Sequence, residues 1–176
     1  MKYRLPELED KEIIKKYIEE HYSCNIEKLN GSTKLLSMKF EDWVEMIHNN
    51  ARIGNKEWGK SLTYLVFNEL DELVGLLSIR YDLSNEKAME FGHIGYGVRP
   101  SQRRKGYATK MLEYALKECK KYGLQKVIVA CYKENIGSSS VIVKNNGKLI
   151  KEKNILTKIN DNWQINLVDQ IYEIEI

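Results

Sequence analysis

Between Val98 and Gly123 the chain reads VRPSQRRKGYATKMLEYALKECKKYG, and Arg103, Arg104 and Lys105 stand directly before an amphipathic helical stretch. A helix start already carries partial positive charge and normally takes Asp, Glu or a capping side chain. A strand, a tight turn and a helix start at Val98–Met111 also bring several unpaired backbone N–H groups to one point. Gly106 allows the close approach of a ligand, or a turn that a Cβ would block, and Ala108 is nearly as small. The chemistry that suits these residues is anion binding. A phosphate or pyrophosphate would meet the N–H groups, the helix dipole and the flanking cations together. The competing reading is a solvated basic turn that tolerates about 0.3–1 kcal/mol for each misplaced cation.

Two common phosphate sites are excluded by spacing. No G-x-x-x-x-G-K-[ST] run is present, and the glycines of GHIGYGVRP lie within a strand-like run rather than at the opening of a helix. The wider composition bounds the rest. With 176 residues, 43% hydrophobic and 30% charged, the chain fits one globular domain over 1–176. It holds no apolar run near the ~20 residues of a membrane span, and its start has no signal-peptide pattern. Cys24, Cys119 and Cys131 read as free thiols of a cytoplasmic protein, and no Cys/His spacing suggests a metal. The net charge of +3 gives no argument for nucleic acid, and RRK has no aromatic-interleaved basic face around it. Residues 1–98 carry 13 Lys/Arg against 17 Asp/Glu, and residues 99–176 carry 15 against 8. That asymmetry is either surface scatter or a C-terminal half that holds an anion and an N-terminal half that meets a cation.

The elements that must position the basic turn follow from periodicity. Met1–Leu5 reads as a short strand, Asp10–Glu20 and Phe40–Asn50 as amphipathic helices, residues 22–37 as irregular and Asn55–Lys60 as a loop. Leu62–Phe67, Val74–Tyr81 and Ala88–Val98 read as strands, the first two joined by the hairpin-like NELDE. Pro100 ends the third. The helix after Gly106 buries Ala108, Met111, Leu112, Ala115, Leu116 and Cys119 and stops at Gly123. KVIVACY, Lys126–Tyr132, is a strand buried on both faces. A short helix over Ile136–Asn146 and strands over Lys148–Ile155 and Leu167–Ile176 close an α/β (α+β) chain. The last strands would pair across two copies if the protein is a homodimer.

At this point RRKGYA, Arg103 to Ala108, resembles the R/Q-x-x-G-x-G/A signature of the GNAT superfamily of acyl-CoA-dependent N-acetyltransferases. The order of elements is similar over nearly the whole chain. The GHIGY, VRPS and KGYA runs with a later N-I-x-S segment look most like uncharacterised bacterial acetyltransferases of that superfamily. The resemblance implies a central, mostly antiparallel mixed sheet flanked by helices, with a strand pair that splays at the acyl-CoA site. It implies acetyl-CoA as cosubstrate, an amine of a small molecule or peptide as acceptor, and direct attack in a ternary complex. The N–H groups of Arg104, Lys105, Gly106, Tyr107, Ala108 and Thr109 would bind the coenzyme A pyrophosphate, with Arg103 and Arg104 adding charge. Tyr96, Gly97 and Val98, in a strand that bulges, would pair with the pantetheine arm. An N–H near Val98 would polarise the acetyl carbonyl, and Asn135 and Ser138 would contact the pantetheine or the diphosphate.

The proton carriers do not carry over. The family's strand Glu falls here on Gly92 and its helix Tyr on Ile142. Glu90, two residues before Gly92, and His93, with a suitable intrinsic pKa, are the candidate bases, although His93 points to the other face of a regular strand. Tyr132 is the candidate acid, and either role has a structural alternative. Cys131 fits a small core hydrophobe better than a nucleophile. Tyr17, Trp43, Trp58 and Tyr64 sit at core spacings and are also candidates for an acceptor pocket. Without the Glu and Tyr, a domain that binds acyl-CoA as a sensor or regulator is the alternative to an enzyme.

Overall fold

The structure is a computed structural model that describes the backbone of residues 1–56, 58–82, 91–160 and 163–176, and the side chains of these except 157–160 and 163–165. Its elements run in the order β1 (Lys2–Arg4), α1 (Lys11–Ser23), α2 (Phe40–Arg52), β2 (Ser61–Phe67), β3 (Leu73–Arg80), β4 (Ile94–Val98), α3 (Tyr107–Lys121), β5 (Lys126–Tyr132), α4 (Ile136–Lys144), β6 (Lys148–Asn160) and β7 (Trp163–Glu175). The strands form two antiparallel ladders, β1-β2-β3-β4 and β5-β7-β6.

The apolar runs explain the layering. In LVGLLSIR of β3 every residue from Leu73 to Ile79 is buried, as expected for a strand covered on both faces. One face meets Ile14 and Tyr17 of α1 and Trp43, Val44 and Ile47 of α2. The other packs with Met111, Leu112, Ala115 and Cys119 of α3 and with Val127, Val129 and Ile142 beyond them. The stripe read from the sequence on α3 is thus the face that closes the second core. The end of β4 is pinned to α1: Glu20 accepts from Arg99 Nε and from the Ser101 N–H, each at 2.7 Å. Burial pushes the Glu20 carboxyl up, but the Ser101 N–H and Arg99 outweigh it and hold it below the usual carboxylate range.

Three expectations change. The third strand begins at Ile94 rather than running unbroken through Gly92, and the part of the expectation that covers Ala88–Glu90 lies outside the described residues. Gly92 has φ +71 and makes only an isolated bridge to Val129, so the extended run breaks there. The β3–β4 register runs unshifted from Ile79↔Ile94 to Gly75↔Val98, so the expected bulge is absent from the ladder. Finally, β7 is paired on both sides, by β5 and β6, and of the two closing strands only β6 leaves an edge.

Candidate functional site

Two ladders meet at β4 and β5 but do not join. Gly92 bridges Val129, and the His93 N–H donates to the Ile128 carbonyl at 2.8 Å. Beyond that point no ladder connects the strands. The Arg80 N–H donates to His93 O and the Arg99 N–H to Val74 O, which sets the alternation of the β3–β4 ladder. It follows that the N–H and C=O groups of Ile94, Tyr96 and Val98 point away from β3, towards the gap. A cleft of about 1330 Å³ opens here, lined on one side by the basic turn and α4 and on the other by residues 28–34, Ser78 and Arg80.

The start of α3 supplies the basic wall of the cleft. Arg104 (φ +62) and Gly106 (φ +81) both take the left-handed conformation, which turns successive N–H groups towards one side. No acceptor among the described residues takes the N–H of any residue from Arg104 to Thr109. The first turn contains no acid and Gly106 offers no side-chain cap. A Cβ built on Gly106 would meet nothing within 4 Å, so the concavity is open at that point. Such a cradle fits a pyrophosphate. Arg103 and Arg104 line the cleft, Arg103 with its Nε on Val98 O at 3.2 Å. Lys105 does not: its ammonium is 2.9 Å from Gln102 Oε1. Across the gap, Asn135 Oδ1 caps α4 by accepting from the Ser138 N–H at 3.1 Å. The Tyr96 hydroxyl lies 2.9 Å from Ser138 Oγ, and this pair ties β4 to α4 across the floor of the cleft.

The opposite wall is held by a feature the sequence did not reveal. Trp43 is fully buried, and its Nε1–H is shared between the carbonyls of Ser32 and Thr33, both at 2.9 Å. This presses the loop onto β4. A Cβ on Gly97 would stand 2.5 Å from Asn30 O, and one on Gly31 would stand 3.0 Å from Gly95 O. Gly95 and Gly97 therefore admit the loop that walls the cleft. Tyr17 is core and Tyr64 packs with Tyr3 and Tyr114, so neither lines an acceptor pocket.

The candidate proton carriers separate clearly. Glu90 lies outside the described residues. His93 is buried and does not line the cleft; its Nδ1 accepts the Ile128 N–H at 2.9 Å. Desolvation, with Arg80 nearby, pulls its pKa down to about 4, in keeping with a ring nitrogen that accepts a backbone N–H. Gly92 cannot be the family's Glu, because a Cβ there would sit 2.6 Å from Ile128 O at a positive φ. Ile142 is wholly buried in the core. Tyr132 does line the cleft, and Lys28 Nζ lies 3.4 Å from its hydroxyl and 5.0 Å from its ring centroid. Cys131 lines it too, its thiol pKa pushed up by burial. Asp169, opposite Tyr132 in the β5–β7 register, is the one carboxylate in the described lining. No spacing in the sequence pointed to it or to Lys28, because both reach the site only through tertiary pairing.

Comparison with known proteins agrees with this geometry. The chain superposes on an acetyltransferase of the GNAT family from Streptococcus pneumoniae with a TM-score of 0.71 at 15% identity, covering 99% of each chain. It matches an acetyltransferase from Salmonella typhimurium that modifies the N-terminal serine of ribosomal protein L7/L12 with a TM-score of 0.70 at 16% identity, over 99% of this chain and 94% of that one. A microcin C7 self-immunity acetyltransferase, in complex with acetyl-CoA and AMP, matches with a TM-score of 0.70 at 18% identity, over 99% and 91%. These likenesses establish the fold. No curated protein matches the chain by sequence. The profile of the acetyltransferase (GNAT) family matches residues 32–147, from the loop on β4 through the basic turn to the end of α4, and the chain belongs to that family.

Proposed function

We propose that the protein is an acetyl-CoA-dependent N-acetyltransferase, one domain over 1–176, that acetylates a primary amine of a small molecule or peptide in a ternary complex. The observation that carries this reading is the run of unpartnered N–H groups from Arg104 to Thr109, set beside the outward-facing backbone of Tyr96 and Val98. Acetyl-CoA would bring an activated thioester to the splay. The N–H groups of the turn, with Arg103 and Arg104, hold the pyrophosphate. The backbones of Tyr96 and Val98 pair with the pantetheine amides, and a free N–H there polarises the acetyl carbonyl. Gly97 supplies the close approach of the loop, and Asn135 and Ser138 keep α4 against the cofactor side.

The acceptor must attack as a neutral amine. Lys28, Lys34 and Arg80 in the lining make the cleft cationic, which lowers the pKa of a bound ammonium and favours the neutral form. This stands in for the missing family Glu. Tyr132 donates a proton to the departing thiolate: Lys28 donates into its oxygen and leaves the phenolic O–H to point elsewhere. The N–C bond forms as the C–S bond breaks, and the excess amine proton returns through solvent to the Tyr132 oxygen, which restores its hydroxyl. His93 serves as a structural acceptor under β5 rather than as the base. Free thiols at all three cysteines suit a reducing cytoplasm.

Calorimetry with acetyl-CoA, coenzyme A and ATP, followed by mass spectrometry of an amine panel, tests the reading. Saturable binding of both coenzyme A forms, no binding of ATP and acetylated products are expected. Binding without any product would favour an acyl-CoA sensor, a reading that Gly92 and Ile142 at the usual acid–base positions support. No binding of either coenzyme A form would end the proposal.

A further inference from the structure

The acceptor side of the cleft has a charge of its own. Arg80, at the end of β3, lines the cleft on the wall away from the basic turn. Its Nη1 donates to Gly92 O at 2.8 Å, and its guanidinium lies 5.1 Å from the centre of the Trp58 ring. Trp58 in turn meets Phe91, an exposed aromatic of the lining, edge to face at 5.5 Å. No carboxylate among the described residues pairs with Arg80. Burial lowers the pKa of its guanidinium, and no charge among the described residues offsets this. A desolvated cation with one hydrogen bond among the described residues retains donors for an anionic partner. Lys28, its ammonium 3.4 Å from the Tyr132 hydroxyl, adds a second cation to the same wall. Among the described carboxylates of residues 1–98, Asp10 pairs with Arg4, Glu20 with Arg99, and Glu41 with Lys11.

We infer that the acceptor is an amine that also carries an anionic group, a carboxylate or a phosphate, and that Arg80 on its Trp58 platform holds that group. This rests on the acetyltransferase reading and narrows its substrate class. The register places Arg80 opposite His93, three residues before Tyr96, or about 10 Å along the strand. The anion and the amine are thus held apart, and the cleft selects compact acceptors whose two groups span that interval together with the reach of the arginine. Cationic polyamines meet like charge at both ends and are disfavoured.

The test compares matched acceptors: α- and ω-amino acids of two to six carbons against their carboxamides, and phosphoethanolamine against ethanolamine. Coenzyme A release is followed for the wild type, Arg80→Gln and Arg80→Lys. In parallel, N-acetyl amino acids and their amides are titrated by calorimetry into the coenzyme A-loaded protein, so that slow turnover does not hide binding. Charge-assisted recognition predicts about 10–100-fold better kcat/KM, or tighter binding, for the anionic member of a pair. That preference should vanish in Arg80→Gln and survive only in part in Arg80→Lys, which keeps charge but loses the fork and the ring contact. Coenzyme A affinity reports folding of the variants. Discrimination for carboxylates but not phosphates, or the reverse, supports the inference and names the anion. Coenzyme A binding with no discrimination, or discrimination that persists in Arg80→Gln, overturns it alone. Failure to bind coenzyme A overturns the acetyltransferase reading and this inference with it.

Discussion

Replacing Gly106 by Asn separates a ligand cradle from a merely tolerated turn. Gly106 is the N-cap of α3 at φ +81, and Asn is both a favoured N-cap residue and one of the side chains that enter the left-handed region most readily. A Cβ there meets nothing within 4 Å. The free protein should therefore keep its stability to within about 0.5 kcal/mol, or about 1–2 °C in Tm for a chain of this length. The cleft is different, because the side chain would stand where a pyrophosphate meets the N–H groups of the turn. Loss of two charge-assisted hydrogen bonds at about 1.5 kcal/mol each removes about 3 kcal/mol, more than a hundredfold in Kd. At a coenzyme A concentration of 100 times the wild-type Kd, ligand stabilises the wild type by about 2.7 kcal/mol and a variant weakened a hundredfold by about 0.4 kcal/mol. A thermal melt should show a rise of roughly 5–10 °C for the wild type and about 1 °C for Gly106→Asn. Gly106→Ala is the companion, with a cost of about 1–2 kcal/mol in the free protein from the left-handed backbone. If Gly106→Asn melts normally and retains the full ligand-induced rise, the turn is not the pyrophosphate site.

Three further outcomes are expected. His93 has a folded pKa of about 4, below its ordinary 6.5, so its contribution is fully present above pH 6.5 and is lost as pH falls towards 4. Up to about 3 kcal/mol is involved, and denaturant midpoints of the wild type should fall across that window more steeply than those of His93→Gln; parallel curves would contradict the assignment. Gly92→Glu, which restores the residue common in the family, should lower Tm by at least about 4 °C without raising the rate, because a Cβ at φ +71 would stand 2.6 Å from Ile128 O. A stable and faster Gly92→Glu enzyme would show that the backbone there adapts. Tyr132→Phe should reduce kcat by about 10²-fold while leaving coenzyme A affinity intact, and an unchanged kcat would remove Tyr132 from the proton path.

The local features of this protein were legible in its residues, and the reason is that their causes are local. RRKGYA determines its own turn: the glycine, the cations and the following apolar stripe lie within one strand–turn–helix unit, and α3 begins at Tyr107 accordingly. The continuous apolar run of β3 likewise stated that both its faces are covered, whereas in β5 only Val127–Val129 are buried and Ala130–Tyr132 open onto the cleft. Gly92 was misread because an isolated glycine inside a strand-like run has no local sign of its φ; the close approach of Ile128 O decides it.

The wall opposite the basic turn belonged to tertiary structure alone. Residues 1–98 carry an acidic excess, yet the charged side chains that segment places in the described lining are Lys28, Lys34 and Arg80. Charge counted along a chain is not charge across a surface, because each carboxylate is drawn to whichever cation the fold brings near, as Glu20 is to Arg99 from 79 positions away. Trp43 looked like a core residue and is one, but its indole N–H also fixes the loop that walls the cleft. The sequence determined the basic turn and the helix it opens; which residues face that turn across the cleft was decided by strand register and loop packing, whose partners are distant in the chain.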